Sequence, residues 1–288
     1  MTTNIIELSG VEFGYRKRRA PLFHQLDLVL PAGTICGLLG TNGAGKSTLL
    51  KMLAGLSFPQ AGRCCVLGHE PGKREPDFLA DVFLLPEEIH VPALSATAYV
   101  ERYGCLYPRF DHQLLGQVMQ DFALPSDRAL TTLSQGQKKK FLLAFGLATC
   151  ASLFIMDEPT NGLDIPGKQE FRRALINHFS LERSFIISTH QVHDLQGLID
   201  SVMIIADGRI LLHESVDRLS STLRVEMARE RPADALFVEE TLEGFRILRV
   251  NESGMDTNID LSLLFGCALS QPELLQSLLG KTQQQEAA

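Results

Sequence analysis

Hydrophobic and polar positions along the first part of the chain predict two strands followed by a strand that runs into a helix. Residues 4–30 indicate the two strands, because IIELSGVEFGY alternates in part and LFHQLDLVL alternates well. TICGLLG, residues 34–40, is a short apolar run typical of a buried strand. The helix is indicated by a stripe formed by Leu49, Leu50, Met52, Leu53 and Leu56.

Predicted strands and helices continue to follow one another up to about residue 215. DVFLLPEE is a further apolar run, and residues from about 92 to 149 are mostly helical in character. The elements predicted next are a strand in LFIMDEP, a helix over 166–182, a strand in SFIISTH, the start of a helix in HDLQGLI, and two strands around Asp207-Gly208. This order predicts an α/β core. From about residue 216 the chain is more charged and shows two possible strands, and KTQQQEAA is expected to fray.

One uncharged run of sixteen residues, from Phe141 to Met156, is the best candidate for a membrane span. As a helix it would reach about 24 Å, which is short of the roughly 30 Å hydrocarbon core. We expect instead that residues 138–148 continue a helix begun at Ser134, that 149–152 form a turn, and that Leu153 to Met156 form a buried strand. The run would then be apolar because both elements belong to the core.

Composition narrows the class of protein. The 288 residues are 45% hydrophobic, enough for one large domain or two smaller ones. A net charge of −7 argues against a dedicated nucleic-acid binder, and the basic cluster Arg16–Arg19 is interpreted as a solvated turn. The six cysteines form no C-x-x-C pair, which favours buried free thiols in a reducing compartment. The N-terminus does not have the pattern of a signal peptide.

A phosphate-binding loop is the strongest local signal. The sequence Gly40, Thr41, Asn42, Gly43, Ala44, Gly45, Lys46, Ser47, Thr48 has the form G-x-x-x-x-G-K-[ST] between a predicted strand and a predicted helix. Glycines let backbone N–H groups surround phosphate oxygens, and the helix N-terminus adds partial positive charge. Lys46 supplies a full charge to the β- and γ-phosphates, and Ser47 offers a hydroxyl to Mg²⁺. A chance Gly-rich turn explains the full pattern poorly.

A second signal is the pair of acids that ends LFIMDEP. An apolar strand would deliver Asp157 and Glu158 to the edge of the sheet at which ligands bind in open α/β folds. Asp157 can hold Mg²⁺ through water, and Glu158 can orient and polarise an attacking water. A strand that merely ends in acids is the alternative, and the phosphate-binding loop makes it the weaker one.

The segment LSQGQ, Leu133 to Gln137, distinguishes among proteins with such loops. With Ser134 placed 23 residues before Asp157, the chain resembles the ATPase subunits of ABC transporters, whose signature is LSGGQ or a close variant. Gln135 stands where the family has its first glycine. Ser134 also suits the N-cap of a following helix. The resemblance covers about residues 4–215.

The resemblance implies a fold and a division of the chain. The fold would be a P-loop NTPase core of the ABC ATPase type, with an antiparallel β subdomain and an inserted helical subdomain at about 87–150. Residues 1–215 would form the ATPase domain, and 216–288 a small α+β extension.

The resemblance also implies roles for single residues. Ser134, Gln135, Gly136 and Gln137 would contact the ATP held by a second subunit. Asp164, after Asn161-Gly162-Leu163, would lie in the D-loop at that interface.

Three further roles have simpler alternatives. His190 would contact the γ-phosphate, and a metal pair with His193 is disfavoured because no further ligands stand nearby. Tyr15 would stack on adenine, unless it is an ordinary strand tyrosine. Glu87 occupies the place of a glutamine that helps bind Mg²⁺, and the alternative is a surface acid.

The function implied is hydrolysis of ATP, with Mg²⁺, by two subunits that close on nucleotide and drive a separate integral membrane permease. The partner subunit would be a second copy or a paralogue. The stretch from Thr97 to Leu124 followed by LSQGQKKK most resembles ATPases of ABC-2-type exporters. The chain would then lie peripherally on the cytoplasmic face of the membrane, with a permease docked in a groove within 87–115. The alternatives are an ABC-type ATPase acting outside transport and a non-catalytic regulatory subunit.

Overall fold

The computed structural model describes residues 4–15, 21–232, 234–252 and 255–286, with side chains up to residue 280. The strands are β1 (Asn4–Phe13), β2 (Phe23–Pro31), β3 (Ile35–Leu39), β4 (Ala61–Val66), β5 (Val82–Leu85), β6 (Leu153–Asp157), β7 (Ser184–Thr189), β8 (Ser201–Ala206), β9 (Arg209–Ser215), β10 (Leu223–Ala228), β11 (Phe237–Thr241) and β12 (Gly244–Val250). The helices are α1 (Lys46–Leu53), α2 (Pro76–Ala80), α3 (Ala96–Tyr103), α4 (His112–Asp121), α5 (Gln135–Ala148), α6 (Ile165–His178), α7 (Val216–Thr222), α8 (Leu261–Ser270) and α9 (Pro272–Glu286). The basic cluster Arg16–Arg19 lies outside the described residues.

A central sheet organises the molecule. Among the described residues its strands have the order β5-β6-β7-β3-β8-β9, and all neighbours are parallel except β8 and β9. Strands β3, β6, β7 and β8 are buried along their whole length, which is why their sequences are continuous apolar runs. Because these strands are parallel, the carboxyl ends of β3, β6 and β7 meet at one edge of the sheet.

A smaller antiparallel sheet, with the order β2-β1-β4, packs beside helix α1 and one face of the central sheet. Strand β2 exposes and buries alternate residues over much of its length, since it has one face in the core. The arrangement agrees with the predicted α/β core and its antiparallel β subdomain.

Helices α3, α4 and α5 occupy the chain between β5 and β6, within the stretch predicted to be mostly helical. Turns interrupt the stretch around Pro108 and Pro125, where helix propagation is disfavoured. Aromatic rings join these helices to the central sheet, with Phe145 of α5 packed against Phe83 of β5 and Tyr99 of α3. The helices are thereby fixed to the strands that flank the insertion.

The long uncharged run is two buried elements, as predicted. Helix α5 ends at Ala148, and Cys150 reverses the chain with a left-handed φ of 51° before β6 begins. Buried Arg183 completes this turn by donating to the carbonyl oxygens of Leu147 and Ala151. In the part of the chain that the structure describes, no helix has the length and apolar character needed to cross a membrane.

Some predicted elements are wrong in extent. The helix predicted over 166–182 ends at His178. HDLQGLI contains only a 3₁₀ turn, Val192–Leu195, because Gln196 leaves the helical region with a ψ of 121° and Gly197 follows with a φ of 68°. The tail expected to fray continues helix α9 as far as Glu286, and its lysine, glutamine and glutamate residues favour helix.

The segment after residue 215 contains three strands among the described residues, where the sequence suggested two. They form a sheet of order β10-β12-β11, whose buried Leu248 shares one hydrophobic core with Phe145 and Phe185. Helix α8 packs between this sheet and the central one. The division of the chain at residue 215 therefore stays a prediction, since the core is continuous across it.

All six cysteines are free. Cys36, Cys64 and Cys267 are buried, Cys65 and Cys150 are half-buried, and Cys105 is exposed. Burial in the central sheet raises the pKa of the Cys36 thiol to about 12. Three of the six thiols are thus buried, whereas the sequence predicts burial for most of them.

Candidate functional site

A cavity of about 460 Å³ opens at the carboxyl end of β3. The residues that line it are Tyr15, Leu22, Thr41, Asn42, Gly43, Gly45, Lys46, Ser47, Thr48, Glu87, Glu158, Asn161 and His190. A larger cavity, about 660 Å³, lies beside β4 and is lined by none of the predicted site residues. The chemistry of the lining therefore places the candidate site in the smaller cavity, which draws on several segments distant in sequence.

The loop from Gly40 to Gly45 presents its backbone to this cavity. Gly45 is the N-cap of α1 with a φ of 110°, and a Cβ there would meet the Phe23 ring at 2.6 Å. Glycine is therefore required for both conformation and space. Having no side chain, Gly45 cannot cap the N–H groups of the first turn, which remain available to an anion. Gly40 and Ala44 do not line the cavity; they pack behind the loop, near Ile205.

The Lys46 ammonium lies inside the loop. It donates to the carbonyl oxygens of Gly40 at 2.8 Å and Thr41 at 3.4 Å, and it is 3.6 Å from Glu158 Oε1. Both side chains are buried. A fixed positive charge thus stands between the loop that would hold phosphates and the carboxylate at the end of β6.

Glu158 is the centre of the charged cluster. Its Oε1 lies 2.9 Å from His190 Nδ1, and its backbone N–H donates to Ser188 Oγ at 3.1 Å. The residue has a left-handed φ of 48°, which is uncommon for residues other than glycine, asparagine or aspartate. This backbone turn aims the carboxylate back into the cavity instead of along the strand.

Oxygen donors suited to a metal stand next to this cluster. Ser47 and Glu87 line the cavity, and the buried Asp157 accepts a hydrogen bond at 2.5 Å from Ser188 Oγ. No three His, Cys, Asp or Glu side chains of the described residues gather into a metal cage. Mg²⁺ takes one or two carboxylates together with phosphate oxygens and water, so this donor set fits Mg²⁺ bound with a nucleotide.

Glu87 reaches the cavity from the chain after β5. Its Oε1 accepts a hydrogen bond at 3.1 Å from Asn161 Nδ2, and both residues border the cavity and a neighbouring groove. The groove also contains Gln135 and Lys139. Glu87 is thus more than an isolated surface acid. The contact that the structure shows is with Asn161, and its role toward Mg²⁺ stays a prediction.

Tyr15 forms the outer wall of the cavity. Its hydroxyl shares a hydrogen bond of 2.8 Å with Thr48 Oγ1, and its ring packs edge-on against Phe13 at 5.1 Å. The residue as a whole is 46% exposed. It is therefore held in place while one side remains open to a planar ligand.

The signature residues lie elsewhere. Ser134 caps α5, accepting from the Gln137 N–H, while Gln137 Oε1 accepts from the Ser134 N–H. Ser134, Gln135, Gly136 and Gln137 are exposed or half-buried and contribute nothing to the cavity wall. Asp164 is also exposed and caps α6 through the Gly167 N–H. Within one chain the structure does not bring these residues to the phosphate-binding loop.

Sequence reasoning missed three residues of the site. Ser188 holds Asp157 and the Glu158 N–H, Asn161 holds Glu87, and Lys139 donates to the backbone carbonyls of Glu158 and Asn161. Asn161 was read only as part of the D-loop. Lys139 stands in a run of three lysines, and no signal in the sequence separates it from its neighbours, because only the packing of α5 buries it.

The family described as ABC transporter matches this chain over residues 23–161. The match begins at β2 and ends just after the acids of β6, so it includes the phosphate-binding loop and the signature segment. Exporter ATP-binding proteins are among the curated relatives, as the sequence resemblance predicted.

Relatives and a solved structure extend the similarity. A fluoroquinolones export ATP-binding protein of Mycobacterium tuberculosis is 28% identical over 234 residues, covering 80% of this chain and 75% of that protein. The SkfA peptide export ATP-binding protein SkfE of Bacillus subtilis is 33% identical over 196 residues, covering 65% of this chain and 80% of that protein. A solved ATP binding subunit of an ABC transporter shares the fold, with a TM-score of 0.68 and 22% identity over 75% of this chain and 91% of that chain.

Proposed function

The chain belongs to the ABC transporter family as an ATP-binding, ATP-hydrolysing subunit, and from this premise we propose that it powers export through a separate membrane permease. The observation that carries the proposal is the cluster of Lys46, Glu158 and His190 beside the phosphate-binding loop. A positive charge can bind the phosphates, a carboxylate can orient and polarise water, and a nearby imidazole can hold that carboxylate, which together serve hydrolysis of a phosphoanhydride.

The roles follow from where charge develops in the reaction. Backbone N–H groups of residues 41–48 and the Lys46 ammonium bind the β- and γ-phosphates. Glu158 accepts a hydrogen bond from water and directs it in line with the γ-phosphorus, from which ADP is the leaving group. His190 holds the carboxylate and the γ-phosphate in place. Tyr15 supports the adenine by stacking.

Mg²⁺ would be held by Ser47 and Asp157, with Glu87 as a further oxygen donor. When bound with ATP it neutralises charge on the β- and γ-phosphate oxygens. Asp157 is oriented for this task by Ser188, whose hydroxyl occupies Oδ1.

A second subunit would complete the site. Residues 134–137, exposed or half-buried, and the exposed Asp164 lie outside the wall of the cavity beside the chain's own loop, at the start of helices whose N-termini carry partial positive charge. In a head-to-tail pair, each chain would offer these groups to the ATP of the other. Closure on ATP and reopening after hydrolysis would then drive the permease.

Export is supported by the relatives whose names describe export ATP-binding proteins. Attachment at the cytoplasmic face of the membrane would run through the permease, docked near the groove that contains Glu87 and Glu88.

The catalytic assignment is tested with Glu158→Gln. We expect turnover to fall about 100-fold or more while ATP still binds, because the amide keeps the shape and loses the base. Glu101→Gln, on the exposed face of α3, is the matched control and should hydrolyse ATP as the wild type does. Normal hydrolysis by Glu158→Gln would refute the assignment.

The transport assignment is tested by affinity purification of the tagged chain from detergent-solubilised membranes of its own cells. We expect a polypeptide with several membrane spans to co-purify, and its presence to raise the ATPase rate. A chain found only in the soluble fraction, without such a partner, would favour an ATPase acting outside transport.

A further inference from the structure

Lys139 is a buried lysine whose ammonium contacts the backbone of the chain just after β6. It lies in helix α5 and donates to the carbonyl oxygen of Glu158 at 2.8 Å and to that of Asn161 at 2.7 Å. It is one of three successive lysines, and the other two are half-buried, with Lys140 paired to Glu170. The contacts of Lys139 are therefore specific to its place on the helix.

The surroundings favour a charged ammonium despite burial. Burial lowers the pKa of Lys139, and the carboxylates of Glu87, Glu158 and Asp157 oppose that shift. Two carbonyl oxygens satisfy donors of the ammonium directly, as a buried charge requires. A hydrophobic side chain of similar length could fill the space but could hold neither carbonyl.

The carbonyl that Lys139 binds belongs to the strained residue. Glu158 has its left-handed φ of 48°, a conformation that costs of the order of 1 kcal/mol or more and persists only where surrounding contacts enforce it. Ser188 binds the N–H on one side of this residue, and Lys139 binds the carbonyl on the other. Together they fix both peptide groups around the carboxylate.

We propose that Lys139 is a positioning residue for ATP hydrolysis, which holds the Glu158 backbone so that the carboxylate faces Lys46 and His190. The proposal rests on the function proposed above. It adds a physical link, because Lys139 lies one turn and a half after Ser134, about 7.5 Å along the same helix. The start of α5, where the signature lies, is thereby joined through Lys139 to the backbone of the water-directing residue of the same chain.

The first test compares Lys139→Met with Lys139→Arg. Methionine fills the space without a donor, so we expect kcat to fall about 10- to 100-fold while KM for ATP changes little, because a displaced base loses its alignment with water. Arginine can donate to both carbonyls and should restore most of kcat. Lys138→Met, on the neighbouring half-buried lysine, is the matched control and should keep the wild-type kcat.

A double-mutant cycle identifies the route of the effect. If Lys139 acts through Glu158, then Lys139→Met should lower kcat in the wild-type background and change it little in the Glu158→Gln background. An equal loss in both backgrounds would overturn the proposal. The proposal would also be overturned if the Lys139→Met variant bound ATP normally and kept the wild-type kcat.

Different variants test the role of Glu158 and the role of Lys139. Normal turnover by Glu158→Gln would refute the proposed function, whereas loss of turnover there with unchanged kcat in Lys139→Met would refute only the role of Lys139. If Lys139→Met does not fold, as judged by loss of ATP binding, Lys139→Gln decides. Its amide is uncharged and sits on a side chain one atom shorter, so we expect a smaller fall in kcat that disappears in the Glu158→Gln background. A wild-type kcat, or the same fall in both backgrounds, overturns the proposal.

Discussion

The central sheet and the C-terminal sheet differ in strand direction and in how much of each strand is buried. Strands β3, β6, β7 and β8 are parallel and buried from end to end, whereas β10, β11 and β12 are antiparallel and mostly half-buried. The first arrangement gathers strand ends at one edge, where Lys46, Glu158 and His190 meet. The second is buried only at positions such as Ile247 and Leu248 of β12, and ion pairs such as Arg249 with Asp234 lie at its more exposed parts.

The comparison shows where rigidity is needed. Residues at the ends of buried parallel strands are held by neighbours on both sides, so a strained Glu158 can be maintained. In the C-terminal sheet, half-exposed ion pairs contribute little each because water screens them. We therefore expect substitutions in the first region to alter hydrolysis or global stability, and those in the second to have smaller, local effects.

The largest expected effect is that of Lys46→Met. Removing the ammonium from the phosphate-binding loop should lower ATP turnover about 100-fold or more, because charge developing on the phosphates is no longer balanced. Arg246→Met, in the C-terminal sheet, should leave turnover unchanged. The measurement is phosphate release at saturating ATP, and equal losses in the two variants would break the comparison.

Two hairpin glycines provide the next test. Gly208 joins β8 to β9 with a φ of 71°, and a Cβ there would collide with the Leu22 carbonyl, so Gly208→Ala should lower the free energy of unfolding by about 3 kcal/mol or more. Gly244 is the first residue of β12 with a φ of 132°, and a Cβ there would lie 2.5 Å from the Ala228 carbonyl oxygen. Gly244→Ala should cost about 1–2 kcal/mol, with amide exchange raised mainly in β10–β12. Urea titration with circular dichroism measures both, and a larger loss for Gly244→Ala would reverse the order.

Two arginines give a matched pair of intermediate effects. Arg183 is buried and donates to carbonyls at the end of α5, and Arg246 is half-exposed between Glu239 and Asp260. Arg183→Met should lower the free energy of unfolding by about 3 kcal/mol, since buried carbonyls lose their donors. Arg246→Met should cost about 1 kcal/mol or less. Similar midpoints in urea for the two variants would contradict the distinction.

The smallest effect is expected where the two regions touch. Gln196 Nε2 donates to the Ile259 carbonyl at 2.5 Å, and Gln196 Oε1 accepts from the Leu261 N–H at 3.3 Å, six residues after His190. Gln196→Ala should cost about 1 kcal/mol and change kcat by no more than about fivefold. The control is Gln276→Ala, which removes a bond from α9 to the Leu211 carbonyl without touching the chain beside His190. Its kcat should match the wild type, and a larger loss there would show that the junction at Gln196 has no special role.

Contiguous patterns were predictable from the sequence. The loop from Gly40 to Thr48, the acids after β6 and the cap at Ser134 each occupy a few successive residues, and local geometry fixes what they form. The division of the run Phe141–Met156 into helix and strand was predictable for the same reason. The helix α8 was missed because it is apolar on nearly all sides, which removes the periodic signal.

Contacts between distant segments were not predictable. Lys139 and Glu158 are 19 residues apart, and Ser188 and Asp157 are 31 apart. Nothing in a run of three lysines says which one turns inward, because that depends on how α5 packs against the sheet. The left-handed turn at Glu158 likewise follows from bonds made on both sides of it.

The sequence by itself determined the chemistry of this protein: a phosphate-binding loop, a pair of acids after a buried strand, and a helix capped by Ser134. Each of these is set by neighbours within one turn of helix or one strand, where covalent connection fixes the distances. Only the tertiary structure decided which residues surround Glu158 and that residues 134–137 lie outside the wall of the chain's own cavity. Those relations depend on the order of parallel strands and the packing of α5, which burial of the whole core selects and no short segment encodes.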